Sequence, residues 1–403
     1  MKVPQRGTFT YFTQISILII KQVFTPFQFD ISQLGLIIFI SDKWRVVTMS
    51  KVTIKKAPTL KKKYEDPNKL LFGELYTDYM FTMRYLPEKG WHDAQVKPYQ
   101  NISLDPASLV FHYGQEIFEG MKAYVSPEGE PLLFRPQDNF KRMSNSAQRL
   151  KMPPLDEKLA LEGLTELLKI EKDWIPDIEG TSLYIRPTMI AVDPYLGLKP
   201  SQEYLFYIIM CPVGAYYAAG FNPVKIYVED KYVRAVPGGT GNVKAGGNYA
   251  ASLLASSTAR EKGYSQVLWL DAKERKYVEE VGAMNIFFRF KDEVVTPALS
   301  GSILPGITRK SIIQLLKDEG YSVAERPISI DEIFDRYKKG DLLEVFGTGT
   351  AAVIAPVGIL NWNDDIIEIN DNKTGELTLK MFKTLTGIQA GTLEDKYGWS
   401  YKV

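Results

Sequence analysis

The chain has 403 residues, of which 45% are hydrophobic and 24% charged, and its formal net charge at pH 7 is +1. This length can supply two domains with separate hydrophobic cores, and the composition is that of a globular enzyme rather than a disordered chain. The nearly balanced charge gives no general attraction to polyanions. We therefore expect small-molecule substrates and no nucleic-acid partner.

The few cysteine and histidine residues narrow the possible chemistry. Cys211 is the only cysteine, so no intramolecular disulfide can form, and a reducing, cytoplasmic location is expected. His92 and His112 are the only histidines. A histidine-rich zinc site and a histidine-based triad are therefore disfavoured, we expect no metal, and another group must move protons.

The first 48 residues differ in character from the rest of the chain. The apolar runs Ile15–Ile20 and Leu34–Ile40 are far shorter than the ~20 residues of a membrane-spanning helix, so no membrane partner is expected. A signal peptide is a weaker alternative, because Lys21 closes the first run and no A-x-A-like cleavage site follows. Our hypothesis is that Met49 is the biological start and that residues 1–48 are a non-native or disordered extension.

Beyond Met49, strand-like and helix-like segments alternate, which indicates a mixed α/β fold. Leucines at helical spacing predict a helix over 157–173, before Pro176. The β-branched and aromatic segments SLYIRPTMIAV and EYLFYIIMCPV predict strands. Small residues at 213–224 predict a linker between a smaller α/β domain at 49–212 and a larger one at 225–403.

The most informative segment is a glycine-rich loop around Lys244. Its glycines are Gly238, Gly239, Gly241, Gly246 and Gly247, and a helix is expected from Asn248. Glycine lets the backbone approach a ligand closely. A phosphate-binding P-loop is excluded, because Val243 stands where that motif has glycine and Ala245 where it has serine or threonine. A surface loop with a solvated lysine is the ordinary alternative.

Two later segments could complete a site for a lysine-bound pyridoxal phosphate, which needs an anion site for its phosphate and an acid for its pyridine nitrogen. Pro305 and Gly306 precede an amphipathic helix whose free N–H groups could bind a phosphate. Glu279 and Glu280 lie in an apolar, strand-like segment, where alternation would point one carboxylate inward and the other outward. An ordinary helix cap and a hairpin with a solvated glutamate are the alternatives for each segment alone.

Eight segments, in chain order, resemble the successive blocks of branched-chain amino acid aminotransferases, a bacterial-like set within the class IV family of pyridoxal-phosphate enzymes. They are FGELYTDYMF, FHYGQEIFEGMKAY, LLFRP, LYIRP, GGTGNVKAGGNY, EEVGAMNIF, ILPGITRKS and VFGTGTAAVIAPV. The resemblance runs from about residue 56 to the C-terminus. It implies a two-domain fold type IV architecture, with the cofactor between the smaller and the larger domain.

The resemblance also implies roles for individual residues. For the cofactor these are the Schiff-base lysine Lys244, Tyr249 at the phenolate, Glu280 at the pyridine nitrogen, and the phosphate ligands Arg135, Ile307, Thr308 and Thr348. For the substrate they are the pocket residues Tyr76, Tyr113, Phe118, Tyr184, Arg186, Tyr216, Thr350 and Ala351. Among these, Arg186 would receive the distal carboxylate of glutamate, and the N–H groups of Thr350 and Ala351 would bind the α-carboxylate.

The implied reaction is a ping-pong transfer of the amino group from leucine, isoleucine or valine to 2-oxoglutarate. A homodimer or higher homo-oligomer is also implied, with Tyr113 reaching the neighbouring subunit's pocket. The chain departs from the mammalian members of the family, because Ala352 and Ala355 replace the two cysteines of a redox CxxC pair. Thiol regulation of that kind is therefore excluded.

Two other functions have support in the sequence. D-amino acid aminotransferases and aminodeoxychorismate lyases would share the lysine and the glutamate, although FEGMKAY and LYIRP favour branched-chain substrates. The segment after Phe346 satisfies G-x-G-x-x-A, as in a dinucleotide-binding dehydrogenase. That fold needs a helix after the glycines, whereas VIAPVGILNW is β-branched and contains Pro356 and Gly358.

Overall fold

A computed structural model describes residues 51–214 and 221–403, together with the two strands at 36–40 and 43–47. The strands are β1 Leu36–Ile40, β2 Lys43–Val47, β3 Thr53–Ile54, β4 Tyr79–Leu86, β5 Gly90–Pro98, β6 Glu116–Phe118, β7 Met121–Val125, β8 Pro131–Phe134, β9 Ser182–Ala191, β10 Tyr204–Val213, β11 Val224–Glu229, β12 Gln266–Leu270, β13 Val278–Val281, β14 Asn285–Phe290, β15 Val294–Thr296, β16 Val323–Glu325, β17 Leu342–Gly349, β18 Val353–Trp362, β19 Asp365–Glu368 and β20 Ser400–Lys402.

The α-helices are α1 Leu109–Tyr113, α2 Pro136–Arg149, α3 Glu157–Glu171, α4 Gly246–Ala250, α5 Leu253–Glu261, α6 Ile307–Asp318, α7 Ile330–Lys338 and α8 Glu376–Gln389. Short 3-10 helices occur at Pro67–Lys69, Lys172–Trp174 and Asn370–Asn372. Among the helices of the described residues, none is both long and apolar enough to cross a lipid bilayer.

The chain divides into two compact units after Lys51. In the first unit, β1 and β2 form an antiparallel hairpin in which Leu36 lies opposite Val47 and Ile40 opposite Lys43. This hairpin falls within the segment 1–48 that the sequence set apart. The second unit, Val52–Val403, contains both large sheets and the candidate site.

The first large sheet has the strand order β20-β8-β7-β9-β10-β4-β5-β3, and β6 pairs with β9. The strands predicted from SLYIRPTMIAV and EYLFYIIMCPV are confirmed as β9 and β10, an antiparallel pair with Tyr204 opposite Ala191. Apart from β20, which returns from the C-terminus, this sheet takes its strands from the first half of the unit. This sheet thus combines strands from residues 53–213 with the last strand of the chain, which lies at its edge.

Helix α3 shows how local sequence and packing agree. The Asp156 side chain accepts a hydrogen bond from the Leu159 backbone N–H at 3.0 Å and so caps the first turn. The leucines that predicted this helix include Leu164 and Leu168, which are fully buried against the first sheet. The predicted helix over 157–173 is thus confirmed, with a 3-10 turn in place of its last residues.

The second large sheet has the strand order β13-β12-β11-β18-β17-β14-β15-β16, and β19 pairs with β18. It is mixed: β11 is parallel to both β12 and β18, whereas β17 and β18 are antiparallel. The glycine segment after Phe346 lies in the β17–β18 hairpin, where Gly347 is opposite Ala355. A strand therefore follows the glycines, and the dinucleotide-binding alternative is wrong for this chain.

Candidate active site

The predicted lysine lies at the end of its glycine-rich loop, next to the tyrosine that follows it. The Lys244 Nζ donates to the Tyr249 hydroxyl at 2.8 Å. Tyr249 belongs to α4, which begins at Gly246, two residues before the predicted Asn248. The helix starts earlier because Ala245 is extended and serves as its N-cap. This turn brings two side chains five residues apart onto one side of the loop.

Phe118 connects this loop to the first sheet. Its backbone N–H donates to the Lys244 carbonyl at 3.0 Å, and an isolated bridge pairs Ile117 with Ala245. The Phe118 ring lies 4.5 Å from the Lys244 Nζ and packs edge-on against Tyr249, with 4.8 Å between ring centroids. The Lys244 amine thus contacts the Tyr249 hydroxyl and lies beside the Phe118 and Tyr249 rings.

Arg186 also contacts the Phe118 ring. Its guanidinium is 4.6 Å from the Phe118 ring centroid and donates to the Tyr184 hydroxyl at 2.9 Å. The Arg186 Nε is buried and has no hydrogen-bond partner among the described residues. A buried donor without a partner is costly, so this group is suited to receive an anionic ligand.

Aromatic residues form the wall beside Arg186. Tyr184 is buried and packs with Cys211, and the predicted Tyr76 lies against the same cluster. Phe72, which the sequence reasoning did not select, packs edge-on against Tyr184 with 4.8 Å between centroids although it is 57% exposed. The only signal for Phe72 was its place at the start of the FGELYTDYMF block.

Of the remaining predicted substrate residues, one is not described and one is not brought to this cluster. Tyr216 lies outside the described residues. Tyr113 is 44% exposed, and its hydroxyl donates to the carbonyl of Leu196. Tyr113, Leu196 and the exposed side chains of Phe111 and Leu198 place apolar groups on the surface of the unit.

The buried Glu280 lines a cavity together with Arg234 and Tyr249. Its Oε2 is 2.6 Å from the Arg234 Nε, and its Oε1 accepts from the Leu304 backbone N–H at 3.3 Å. Burial raises the pKa of Glu280 from 4.5 to about 7, and the Arg234 guanidinium opposes that rise. A cationic ligand nearby would favour the ionised carboxylate further.

The expectation that one of the two glutamates faces outward is wrong. Glu279 is as buried as Glu280, and its Oε1 accepts a hydrogen bond from the Ser302 hydroxyl. Burial raises the pKa of Glu279 as well. The two neighbouring side chains still point to opposite faces of β13, since their carboxylates meet different partners. Both faces of the strand are covered by protein, so both carboxylates are buried.

The predicted phosphate-binding segment forms the start of α6. Gly306 is its N-cap and offers no side chain, so Ile307 and Thr308 begin a helix whose first N–H groups have no side-chain cap. A Cβ on Gly306 would lie 2.0 Å from the Asn285 side chain, so glycine is required there. The first turn opens into a cavity that Thr350 also lines.

The two threonines of the β17–β18 hairpin have different environments. Thr350 lies in the cavity with Ile307, and its hydroxyl donates to the Gly120 carbonyl at 3.3 Å. The Thr348 hydroxyl is buried and has no hydrogen-bond partner among the described residues. Lys122, a buried lysine that sequence reasoning missed, also lines the cavity, and its Nζ donates to the Ala351 carbonyl at 2.7 Å. Burial lowers the pKa of Lys122 to about 8.

Arg135 is buried beside the same helix. Its Nε donates to Asp138 at 2.7 Å, and its NH1 donates to the Ser311 hydroxyl at 2.8 Å, one turn after the start of α6. Its backbone is left-handed, with φ 51° and ψ 45°, which is unfavourable for a residue other than glycine. Surrounding contacts must therefore hold this conformation.

Helix α2, whose N-cap is Arg135, supplies further contacts that the sequence did not reveal. Arg142 forms a two-pronged ion pair with the fully buried Glu119, at 2.7 and 2.8 Å, and donates to the Pro305 carbonyl at 3.1 Å. The Ser146 hydroxyl accepts from the Lys244 backbone N–H at 3.1 Å. Arg149 donates to the carbonyls of the glycine-rich loop. One helix thus contacts both the lysine loop and the start of α6.

Comparison with known proteins identifies the family of this chain. The family model for amino-transferase class IV matches residues 116–359. The chain is 55% identical to the branched-chain-amino-acid aminotransferase 2 of Bacillus subtilis over 356 residues, which cover 88% of this chain and 98% of that protein.

Solved structures show the same fold. The branched-chain amino acid aminotransferase of Escherichia coli superposes with a TM-score of 0.68 at 28% identity, covering 80% of this chain and 98% of that one. The Thermus enzyme, solved with pyridoxamine 5'-phosphate, gives 0.67 at 26% identity and covers 80% and 97%. The matched region contains the lysine loop, Glu280 and the start of α6, and by sequence and fold the chain belongs to the class IV aminotransferase family, among its branched-chain amino acid aminotransferases.

Proposed function

We propose that this protein is a pyridoxal-phosphate transaminase that moves the amino group between branched-chain L-amino acids and 2-oxoglutarate. The observation that carries the proposal is the pairing of the Lys244 Nζ with the Tyr249 hydroxyl, beside a cavity that Tyr249 and the buried Glu280 both line. An amine, a phenol and an acid are the groups that the cofactor's aldehyde, phenolate and ring nitrogen need.

The residues present fit the cofactor. The uncapped start of α6, with Ile307 and Thr308, would hold the phosphate together with Arg135. The buried, unpartnered hydroxyl of Thr348 supports its proposed part in the same task, and Thr350 is an additional candidate because it lines the cavity. Tyr249 would donate to the phenolate, and Glu280 would hold a proton on the ring nitrogen.

The proposed proton carrier is the Nζ of Lys244. When bound, the cofactor supplies an electron sink for the substrate carbon that loses its proton. The Lys244 amine would take that proton and return it to another carbon, with the Phe118 and Tyr249 rings beside it. Glu280, paired with Arg234, would stay ionised at neutral pH once a cation faces it.

The same pocket must accept leucine and glutamate in turn. The proposed wall of Phe118, Tyr184 and Tyr76 offers apolar faces to a branched side chain. Arg186, whose buried Nε has no partner in the described part of the chain, would receive the distal carboxylate of glutamate. This arrangement supports the alternation of substrates, and the 55% identity to a named branched-chain enzyme favours it over the D-amino acid and lyase alternatives.

The α-carboxylate shared by all substrates needs its own site. We assign it to the backbone N–H groups of Thr350 and Ala351, in the turn between β17 and β18. Lys122 supports this assignment, because its buried Nζ holds the Ala351 carbonyl at 2.7 Å and brings a positive charge to that turn. An anion bound there would offset the cost of burying the amine.

The proposed quaternary structure is a homodimer or a higher homo-oligomer. The exposed side chains of Phe111, Tyr113, Leu196 and Leu198 support it, because large exposed apolar groups that cluster on a surface mark interaction sites. Tyr113 would then serve the neighbouring subunit's pocket rather than its own. The single, unpaired Cys211 supports the proposed cytoplasmic location.

The test of the proposed function is the Lys244→Ala variant. The purified wild type should carry a yellow cofactor that borohydride fixes on Lys244, and amino-donor profiling with 2-oxoglutarate should favour leucine, isoleucine and valine. Transamination by Lys244→Ala should fall by at least about 10²–10⁴-fold even with saturating cofactor, because general acid–base catalysis alone contributes that much. Near-normal turnover by the variant would refute the proposal.

A further inference from the structure

The C-terminal segment lies directly against Arg135. Strand β20 pairs with β8, with Ser400 opposite Phe134. The residue before the strand, Trp399, accepts a hydrogen bond from the Arg135 backbone N–H at 2.8 Å. Its ring centroid lies 5.2 Å from the Arg135 guanidinium carbon. Both the backbone and the side chain of Arg135 are therefore in contact with the end of the chain.

The same segment is attached to the far end of α6. Trp399 stacks on Tyr397 with 4.1 Å between ring centroids and 15° between planes. The Tyr397 hydroxyl donates to Asp318, the last residue of α6, at 2.5 Å, and Lys396 forms an ion pair with that carboxylate at 3.2 Å. The stacked pair thus connects Arg135 to the helix whose first turn is the proposed phosphate site.

An aromatic ring is well suited to hold this guanidinium. Asp138 already neutralises the Nε edge of Arg135, and Ser311 takes the NH1. A second carboxylate would cancel the charge that a phosphate needs and would compete for the remaining N–H groups. A ring holds a cation by its π face and leaves the N–H donors free.

We propose that Trp399 is a positioning residue for the cofactor phosphate, so that the C-terminal segment forms part of the cofactor site. Its ring fixes the Arg135 guanidinium, and its carbonyl holds the left-handed backbone at that residue. This inference rests on the proposed function, in which Arg135 is a phosphate ligand. It concerns binding of the phosphate group and no step of proton transfer.

The test compares two ligands that differ only in the phosphate. Full-length enzyme freed of cofactor is titrated with pyridoxal phosphate and with pyridoxal, and binding is followed by the absorbance of the bound ligand. Trp399→Leu should weaken pyridoxal phosphate by roughly 5- to 30-fold, the range expected for a desolvated cation–aromatic contact, and pyridoxal by less than about 2-fold. Trp399→Phe, which keeps an aromatic face, should lose less than Trp399→Leu.

The matched control is Trp362→Leu. Trp362 is the last residue of β18 in the second sheet; it is partly buried, and its ring packs on Phe334 of α7. Trp362→Leu should change both affinities equally. Equal losses for both ligands in Trp399→Leu, or no loss for either, would overturn the inference. If Trp399→Leu does not fold, Trp399→Phe decides, because a loss confined to pyridoxal phosphate supports the inference and any other pattern overturns it.

Arg135→Met separates this inference from the function on which it rests. If Arg135→Met selectively weakens pyridoxal phosphate and Trp399→Leu does not, only the role of Trp399 is refuted. If Arg135→Met leaves the ratio of the two affinities unchanged, Arg135 is not a phosphate ligand, and both its proposed role and the inference fail.

Discussion

Replacement of Arg186 by methionine tests the division of labour in the proposed pocket. The side chain keeps its apolar stem, so a leucine substrate still meets the Phe118 and Tyr184 rings. A glutamate substrate loses its contact with the guanidinium, whose Nε is buried and has no hydrogen-bond partner among the described residues. A charge-assisted hydrogen bond of this kind is worth about 1.5–3 kcal/mol. The kcat/KM for glutamate should therefore fall by roughly 10- to 150-fold, with a far smaller loss for leucine.

Single-turnover measurements with each amino acid separate the two half-reactions. The matched control is Arg289→Met, because Arg289 is paired with Glu344 away from the pocket and its loss should change both substrates equally. The alternative is an arginine that serves the fold alone. Equal losses for leucine and glutamate in Arg186→Met, or a drop in folded yield that accounts for both, would establish that alternative and refute the selectivity argument.

Three further tests concern buried charged groups. Glu280→Gln should slow the first half-reaction in rapid-mixing experiments, whereas Glu279→Gln should change it little; the reverse order would give the nitrogen-facing role to Glu279. Arg142→Met should lower the free energy of unfolding by about 3–5 kcal/mol in urea titrations, because it leaves the Glu119 carboxylate buried and unpaired. Adding Glu119→Leu to this variant should restore much of the lost stability. Burial raises the pKa of Glu171 from 4.5 to about 7, so its favourable contribution to stability is present below pH 4.5 and is lost as the pH rises to 7. Glu171→Gln should therefore gain stability relative to the wild type between pH 4.5 and 7, and a constant difference in urea midpoint would refute this.

The parts of the site that could be predicted from sequence are those that short stretches of chain determine. Lys244 and Tyr249 are five residues apart on one loop and helix, and Gly306 directly precedes the residues of the proposed phosphate site. Patterns of leucine and of β-branched residues likewise predicted α3, β9 and β10, because α3 buries one side against a core and the two strands are buried along almost their whole length.

Glu279 shows where a local pattern is insufficient. Period-two alternation states that neighbouring side chains point to opposite faces of a strand, but it does not state what covers each face. Glu279 meets the Ser302 hydroxyl, from a segment 23 residues further along the chain. The number of covered faces depends on that distant segment, so burial of both carboxylates could be learned only from the fold.

Helix α2 shows why the sequence did not reveal the side chains that contact the lysine loop and the start of α6. Arg142, Ser146 and Arg149 follow Arg135 by 7, 11 and 14 residues, which are close to two, three and four helical turns, so all lie near one face. Read alone, that face carries only polar side chains and looks like the solvated side of an amphipathic helix. Its partners are Pro305, 163 residues from Arg142, and the glycine-rich loop, about 90 residues from Arg149. Because the lysine loop and the start of α6 both contact this one helix, α2 helps to fix the distance between the Lys244 amine and the proposed phosphate site.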